Sequence, residues 1–510
     1  MKDTFYITTP IYYVNDVPHI GHAYTTVACD VIARYRRLRG EKVFFLTGTD
    51  EHGQTNLRAA QQRGLKPQEW VDQIVPQWKE VWERLEISYD DFIRTTEERH
   101  GRSVQDFVQR LYDAGDVYLG TYEGLYCISC EEFKTGSEIL DGQLCAIHKI
   151  PLERVQEQNY FFRLSAYQDR LLKLYEDHPE FVRPETRMNE MVAFVKGGLQ
   201  DFSMSRTSFD WGVPIPWDPK HVVYVWVDAL FNYITATGFG VDEQRFRSIW
   251  PADVHMMSKD ILRFHAVFWP AMLMSAGLPV PRSVFVHGYL LVGGEKMSKT
   301  RLTGIHPFQL TDHFGVDAYR YYFLREVPFG QDGSFSWESM AARYNAELAN
   351  GLGNLASRVL AMVDANVDGL VPERPSAAAA SPLEAPAAEL ARAYDEGMGN
   401  LNPTAAVTAL SDFVGEMNRY LVDVAPWALA KDPARRDELA TILYDSLEGL
   451  RLIAIFSFPV MPGAAERLWT QLGVAEPLAD QRLPAAASWG GLRPGTRIAR
   501  GEALFPRLDD

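Results

Sequence analysis

Pro18-His19-Ile20-Gly21-His22 stands between two runs of opposite character. Before it, residues 4–14 (TFYITTPIYYV) are aromatic and β-branched, the composition of a strand. After it, Tyr24, Val27, Ala28, Val31, Tyr35 and Leu38 fall on one helical face, Arg34, Arg36 and Arg37 on the others, and Gly40 is a C-terminal stop. The stretch predicts a strand, a short turn and the first turn of a helix. A helix N-terminus offers unpaired N–H groups and a partial positive charge, and two imidazoles with a glycine there suit phosphate. Residues 42–47 (KVFFLT) read as a second, buried strand. Strand, helix, strand with a right-handed crossover is the unit of a doubly wound parallel α/β sheet. The working expectation is half of a nucleoside triphosphate site.

The bulk properties bound this reading. At 510 residues the chain is too long for one core, and roughly two to four domains are expected. A composition of 46% hydrophobic and 23% charged residues is ordinary for a globular protein. The net charge of −16 argues against a general nucleic-acid coat but leaves room for a local basic face. Of four cysteines, Cys29 is alone and Cys127, Cys130 and Cys145 cluster, which suggests metal binding in a reducing compartment. No basic-then-apolar leader pattern opens the chain, and the apolar run 450–461 is too short to span a bilayer and contains Pro459. A cytoplasmic protein without a membrane segment is expected.

Further along, Gly48-Thr-Asp-Glu-His-Gly53-Gln54-Thr55 nearly matches a P-loop, but Gln54 stands where the phosphate-binding lysine belongs, so a P-loop is rejected. Asp50 reads either as an acid at the C-terminal end of a strand, facing a ligand crevice, or as a helix N-cap. Gly351-Leu-Gly-Asn354 resembles a dinucleotide fingerprint but follows a helical segment, so close helix packing is the better reading. Cys127-Ile-Ser-Cys130 and, after 14 intervening residues, Cys145-Ala-Ile-His148 supply four soft ligands for tetrahedral Zn²⁺ with no position left for water. The metal should therefore be structural, one per chain, and His148 is the ligand a lone histidine's other uses leave most open. From Asn159 the chain reads helical; Pro214 and Pro216 favour a turn or edge, 221–227 a β-run, and 283–292 a further strand. That strand runs into Gly293-Gly-Glu-Lys296-Met-Ser-Lys299-Thr300, a flexible loop able to carry two cations to phosphates. Alone such a loop is usually solvated surface; its weight comes from pairing with His19 and His22.

That pair resembles the HIGH and KMSKS motifs of class I aminoacyl-tRNA synthetases. The words Pro10-Ile-Tyr-Tyr-Val-Asn15, Gly48-Thr-Asp-Glu-His-Gly53, Asn159-Tyr-Phe-Phe-Arg-Leu164, Val223-Tyr-Val-Trp-Val-Asp-Ala229 and Ala425-Pro-Trp427 narrow the resemblance to the methionyl-tRNA synthetase family, over essentially the whole chain. The resemblance implies ATP-dependent activation of L-methionine to methionyl-adenylate, then transfer to the terminal adenosine of elongator and initiator tRNA(Met), with Mg²⁺ accompanying ATP. It implies His19, Gly21, His22, Lys296, Ser298 and Lys299 at the phosphates, the two histidines and two lysines being catalytic, and Lys259 and Asp260 at the adenosine. Ile11, Tyr13, Trp226, Ala229, Leu230, Tyr233, Ile261 and His265 would form the methionine pocket. Asp50 would hold the α-ammonium, with Arg206 supporting it. Without the resemblance, plain core packing would be the favoured reading of those aromatics.

Three departures from the family pattern stand out: Thr300 for serine, Arg301-Leu-Thr-Gly304 after it, and Ser258 for a glycine before Lys259. After residue 322 the chain turns mainly helical, with Asn402 and Pro403 opening an amphipathic helix to about Tyr420 and an Ala/Pro-rich loop at 375–386. By resemblance this bundle reads the anticodon with Asn354, Arg358 and Trp427, although for Trp427 alone burial in helix packing is an equal reading. The domain plan is a catalytic sheet over 1–115 and 221–292, a connective zinc insertion over 116–220, a lysine-loop and stem-contact region over 293–345, and an anticodon-binding bundle over 346–510. The ending resembles short forms without an appended dimerising domain, which predicts a monomer. Two rivals are an HxGH nucleotidylyl transferase, which would need neither zinc knob nor bundle, and an inactive tRNA-binding relative, which should have lost the histidines or lysines.

Overall fold

Strand β1 (Thr4–Thr8) lies inside a seven-stranded sheet whose order runs Val182–Arg183, Val284–His287, Val254–Ser258, β1, β3 (Lys42–Asp50) and β2 (Tyr12–Tyr13), with β4 (Asp91–Arg94) also on β3. The registers Ile7 to Val254, His255 to Val284 and Leu46 to Asp91 are all parallel. This is the doubly wound arrangement expected. The computed structural model describes residues 2–508 apart from 131, 135, 293–294, 297–304 and 376–377. The chain divides into two units. One comprises Met1–Pro18, Val43–Trp82 and Tyr89–His287; the other comprises His19–Lys42, Glu83–Ser88 and Gly288–Asp510.

In the first unit β3 is buried over its last seven residues. Its glycine is obligatory: a Cβ on Gly48 would lie 2.1 Å from the Ile93 carbonyl oxygen of the paired strand. Helix α3 (Pro67–Arg84) buries Trp70, Trp78 and Trp82. The indoles of Trp70 and Trp78 donate to the carbonyls of Val14 and Asp16, each at 3.1 Å, pinning the run before the histidine turn. The insertion is built on the antiparallel pair Val117–Cys127 and Glu153–Phe162, flanked by Glu132–Lys134 and Phe202–Ser203.

Three expectations are corrected here. Residues 159–162 are strand, not helix; the aromatic run Tyr160-Phe161-Phe162 pairs with 117–119, and a 3₁₀ turn at Leu164–Tyr167 leads into the α-helix Gln168–Asp177. The β-run 221–227 splits into a strand ending at Val223 and a helical turn Val225–Leu230. Val225 and Val227 are both buried there, and burial outweighs their strand preference. The run 283–292 also splits at Gly288, where an added Cβ would meet Gln331 backbone at 2.0 Å; Leu290–Val292 joins a separate sheet with Glu295–Lys296 and Gly333–Phe335.

The second unit contains helix α1 (Ile20–Leu38) and a helical C-terminal part. Asn402 accepts from the Ala405 N–H at 3.1 Å and caps Pro403–Val424, as read, the helix running four residues past Tyr420. Arg320, fully buried, donates to Asp30 Oδ2 at 2.6 Å and to the carbonyls of Leu85, Pro459 and Val460. Among the described residues no helix is long and apolar enough to cross a membrane.

Candidate active site

The histidine turn is held by its own backbone. His19 is the N-cap of α1; its Nδ1 accepts from the Gly21 N–H at 3.1 Å, and His22 Nδ1 accepts from the His19 N–H at 3.2 Å. This reciprocal pattern is a capping box made with two imidazoles. The rings stack with centroids 3.8 Å apart. Because each Nδ1 accepts from a backbone donor, each ring carries its hydrogen on Nε2. The Ile20 N–H donates to the Ile305 carbonyl at 2.9 Å, tying the exit of the lysine loop to this turn. Lys296 lies on the strand Glu295–Lys296, its backbone opposite Leu291. Ser298, Lys299, Thr300 and residues 301–304 lie outside the described residues.

In the first unit, the expected pocket residues gather after the C-terminal ends of the parallel strands, where ligands sit in such sheets. Asp50 ends β3 and is 3% exposed. The N-cap of α2 (Gly53–Gln62) is His52, so the capping alternative for Asp50 falls away. Tyr13 on β2 pairs in register with Asp50 and sets its ring edge-on to Trp226, centroids 5.8 Å apart. Trp226 stacks flat on Phe264 at 4.5 Å, and its indole donates to the Cys130 carbonyl at 3.1 Å. Phe264 opens a π-helical turn, Phe264–Phe268, a distortion common at functional sites.

That turn aims His265 at Tyr233. His265 Nδ1 is 2.9 Å from the Ile261 carbonyl, so Nδ1 donates, Nε2 accepts, and the Tyr233 hydroxyl donates to it at 2.7 Å. Burial pushes His265 down to about 4, leaving it neutral near pH 7. Leu230 belongs to the same core, Ile11 and Ile261 pack against it half-buried, and Ala229 is nearly buried. Lys259 and Asp260 sit on the 3₁₀ turn Lys259–Ile261 that follows Ser258. Arg206 is buried, donates to Ser203 Oγ and the Ser205 carbonyl, and lies over the Tyr224 ring at 4.2 Å.

The insertion brings its four expected ligands together. Cys130 Sγ is 3.6 Å from Cys145 Sγ and 3.2 Å from His148 Nδ1, and all four ligand atoms lie within 4.8 Å of one another. Metal–ligand bonds of about 2.0–2.3 Å at tetrahedral angles give such spacings. Cys127, Cys130, Cys145 and His148 thus form one metal-binding cluster, with His148 included. The apolar core beside it is small, Leu152 with Leu125, Ile139 and Ile150. In the second unit Asn354 is exposed at the start of Asn354–Val367, and Arg358, one turn on, lies 5.2 Å over the ring of Trp427. Trp427 is 44% exposed, which excludes its alternative as a buried packing residue.

Sequence reading missed Phe264, whose only signal is its place one residue before His265, and missed a buried group formed by His52, His100 and Asp228. The latter residues are far apart in the chain, and nothing short of the fold pairs them.

A family profile described as "tRNA synthetases class I (M)" matches residues 5–143 and 136–360, and one described as "Anticodon binding domain of methionyl tRNA ligase" matches 371–510. A methionine–tRNA ligase of Streptomyces coelicolor is 54% identical over 99% of this chain and 97% of its own length; that of Caldanaerobacter subterraneus is 50% identical over 100% and 80%. A solved Mycobacterium tuberculosis methionyl-tRNA synthetase in complex with methionyl-adenylate matches with a TM-score of 0.95 at 45% identity, over 99% of this chain and 100% of that one. Sheet, insertion with a three-cysteine, one-histidine cluster and helical anticodon-binding domain together make this a class I aminoacyl-tRNA synthetase. The chain belongs to the methionyl-tRNA synthetase family, and its activity is that of a methionine–tRNA ligase.

Proposed function

We propose that the chain activates L-methionine with ATP through the residues assembled above and passes the methionyl group to tRNA(Met). The methionine carboxylate, already ionised, attacks the α-phosphorus; the bond to the bridging oxygen breaks and pyrophosphate leaves with its electron pair. No general base is required, so the protein's part is placement and neutralisation of growing phosphate charge. The observation that carries this reading is the histidine turn. Both imidazoles are held by backbone as Nε2–H donors at the positive end of a helix, suited to phosphate oxygens. Lys296 and Lys299 add charge, and Mg²⁺ accompanies ATP as part of the substrate. The carboxylate of Asp50 takes the α-ammonium, and Tyr13, Trp226, Tyr233 and His265 with Ile11, Ala229, Leu230 and Ile261 enclose the thioether.

Apolar enclosure discriminates weakly, about 1–3 kcal/mol per methylene. A rigid aromatic frame is therefore the available device. The three thiolates and one imidazole of the cluster suit zinc, which would hold the knob in place of a hydrophobic core. Asn354, Arg358 and Trp427 serve the anticodon, the exposed indole under a guanidinium being a ready stacking surface for a splayed base. Free cysteines fit work in the cytoplasm.

The test is ATP–pyrophosphate exchange without tRNA. Exchange should depend on methionine; exchange with another amino acid but not with methionine would overturn the pocket assignment. Lys299→Ala should slow adenylate formation and leave methionine affinity nearly intact.

A further inference from the structure

A buried carboxylate and two imidazoles lie behind the amino acid pocket and have no part in the reaction as proposed. Asp228 is fully buried on the turn Val225–Leu230, which also carries Trp226, Ala229 and Leu230. Its Oδ2 is 2.6 Å from His52 Nδ1 and its Oδ1 is 2.8 Å from His100 Nε2. His100 is fully buried on α4 (Glu98–Asp113), and His52 is 7% exposed. Burial alone would raise Asp228, but the two imidazoles and their hydrogen bonds bring it down to about 2. An ionised carboxylate only accepts, so both rings donate, His52 from Nδ1 and His100 from Nε2.

His52 is two residues past Asp50, and its peptide is fixed from several sides. Asn56 Nδ2 donates to the carbonyls of Asp50 and His52 at 2.9 and 3.1 Å. The Trp211 indole donates to the Glu51 carbonyl at 2.7 Å, and its ring meets the His52 imidazole edge-on at 5.3 Å. The segment bearing Asp50 and the turn bearing Trp226 are thus joined by one short hydrogen bond, from His52 to Asp228, while His100 holds the second carboxylate oxygen. From this we infer that Asp228 is a positioning residue for methionine selection. Through His52 it registers the ammonium-binding carboxylate of Asp50 against the helical turn that carries the thioether pocket. The inference rests on the proposed role of Asp50 in holding the ammonium.

Asp228→Asn is the sharpest probe, because an amide has one acceptor oxygen and cannot accept from both rings. In the full-length enzyme, KM for methionine in pyrophosphate exchange should rise about tenfold or more while KM for ATP stays within about twofold. Direct binding of methioninol and of the same alcohol without its amine separates the two ends of the pocket. The wild-type preference for the amine should shrink about tenfold in Asp228→Asn. Unchanged methionine KM and amine preference in a folded variant would overturn the inference, as would KM values for methionine and ATP rising in parallel.

If Asp228→Asn does not fold, His52 supplies the same test. His52→Leu removes the donor, whereas His52→Asn presents an N–H where Nδ1 stood and should recover most of the affinity that leucine loses. Equal behaviour of the two would reject the role. Asp50→Asn separates the premises. Retained amine preference in that variant removes the underlying reading of Asp50. Lost preference there, with none lost in Asp228→Asn, removes the role of Asp228 alone.

Discussion

The histidine turn and the proposed methionine pocket are built on opposite principles. The turn is five consecutive residues, and its two imidazoles, His19 and His22, bond to backbone within three positions. The proposed pocket gathers residues from 11 to 265, on a strand, two helical turns, a 3₁₀ turn and a π-helical turn, and the rings of Tyr13, Trp226 and Tyr233 meet partners distant in the chain. Local geometry makes the turn tolerant of its surroundings but intolerant of substitution. The proposed pocket is the reverse: its shape depends on contacts between elements far apart in the chain.

The largest expected effect tests the turn. His22→Ala removes a fixed donor and its bond to the His19 N–H, and should lower the rate of adenylate formation by about 10²–10³. Methionine binding, measured by equilibrium titration, should hardly change. A comparable loss of methionine affinity would mean that the turn is not independent of the pocket.

Metal removal tests the pocket from a distance. Because the Trp226 indole donates to the carbonyl of the ligand Cys130, unfolding of the knob takes away its anchor. Chelation should shift tryptophan fluorescence in step with metal loss and raise KM for methionine about tenfold, the worth of one well-placed hydrogen bond. Trp226→Phe, which has no indole N–H, should make that shift disappear.

Acid should also act on the pocket's unit. Burial lowers His265 to about 4 and His255 well below its ordinary value, so both fold as neutral rings. Between about pH 6.5 and 4 the unfolded chain binds protons that the native state refuses. Stability therefore rises with pH in this window and is lost as pH falls through it. His265 alone accounts for about 3 kcal/mol. Urea denaturation at several pH values should show the decline, and His265→Asn should flatten part of it.

The smallest effect concerns a second local motif, the N-cap at Asn402. Asn402→Ala should cost about 1 kcal/mol of stability and leave pyrophosphate exchange unchanged. It shows what a local motif is worth when it carries no chemistry.

Legibility in the sequence followed the same division. The histidine turn, the Cys-x-x-Cys and Cys-x-x-His spacing and the Asn402-Pro403 helix start could all be read, because neighbouring residues decide them. The doubly wound sheet could be read from strand, helix and strand in succession. Trp226 was placed on a strand because Val225 and Val227 favour one, and only burial in the finished core shows otherwise. The helix expected from Asn159 is a strand because Val117 and its neighbours, some 40 residues earlier, supply the partner. Asp228 joins residues 176 and 128 positions away, a pairing no local pattern encodes.

Arg320 adds a consequence for how the enzyme is made. With Arg34 it neutralises the buried Asp30 of α1, from 290 residues downstream, and is itself held by the carbonyls of Pro459 and Val460, some 140 residues later still. At roughly 5–20 residues per second, Arg320 leaves the ribosome about 15–60 s after Asp30. Until then Asp30 has only Arg34, four residues on in the same helix and 2.8 Å from its Oδ2, and lacks the second, fully buried guanidinium. Helix α1, translated among the first residues, therefore completes its buried contacts at Asp30 only after residues 459 and 460 have been made.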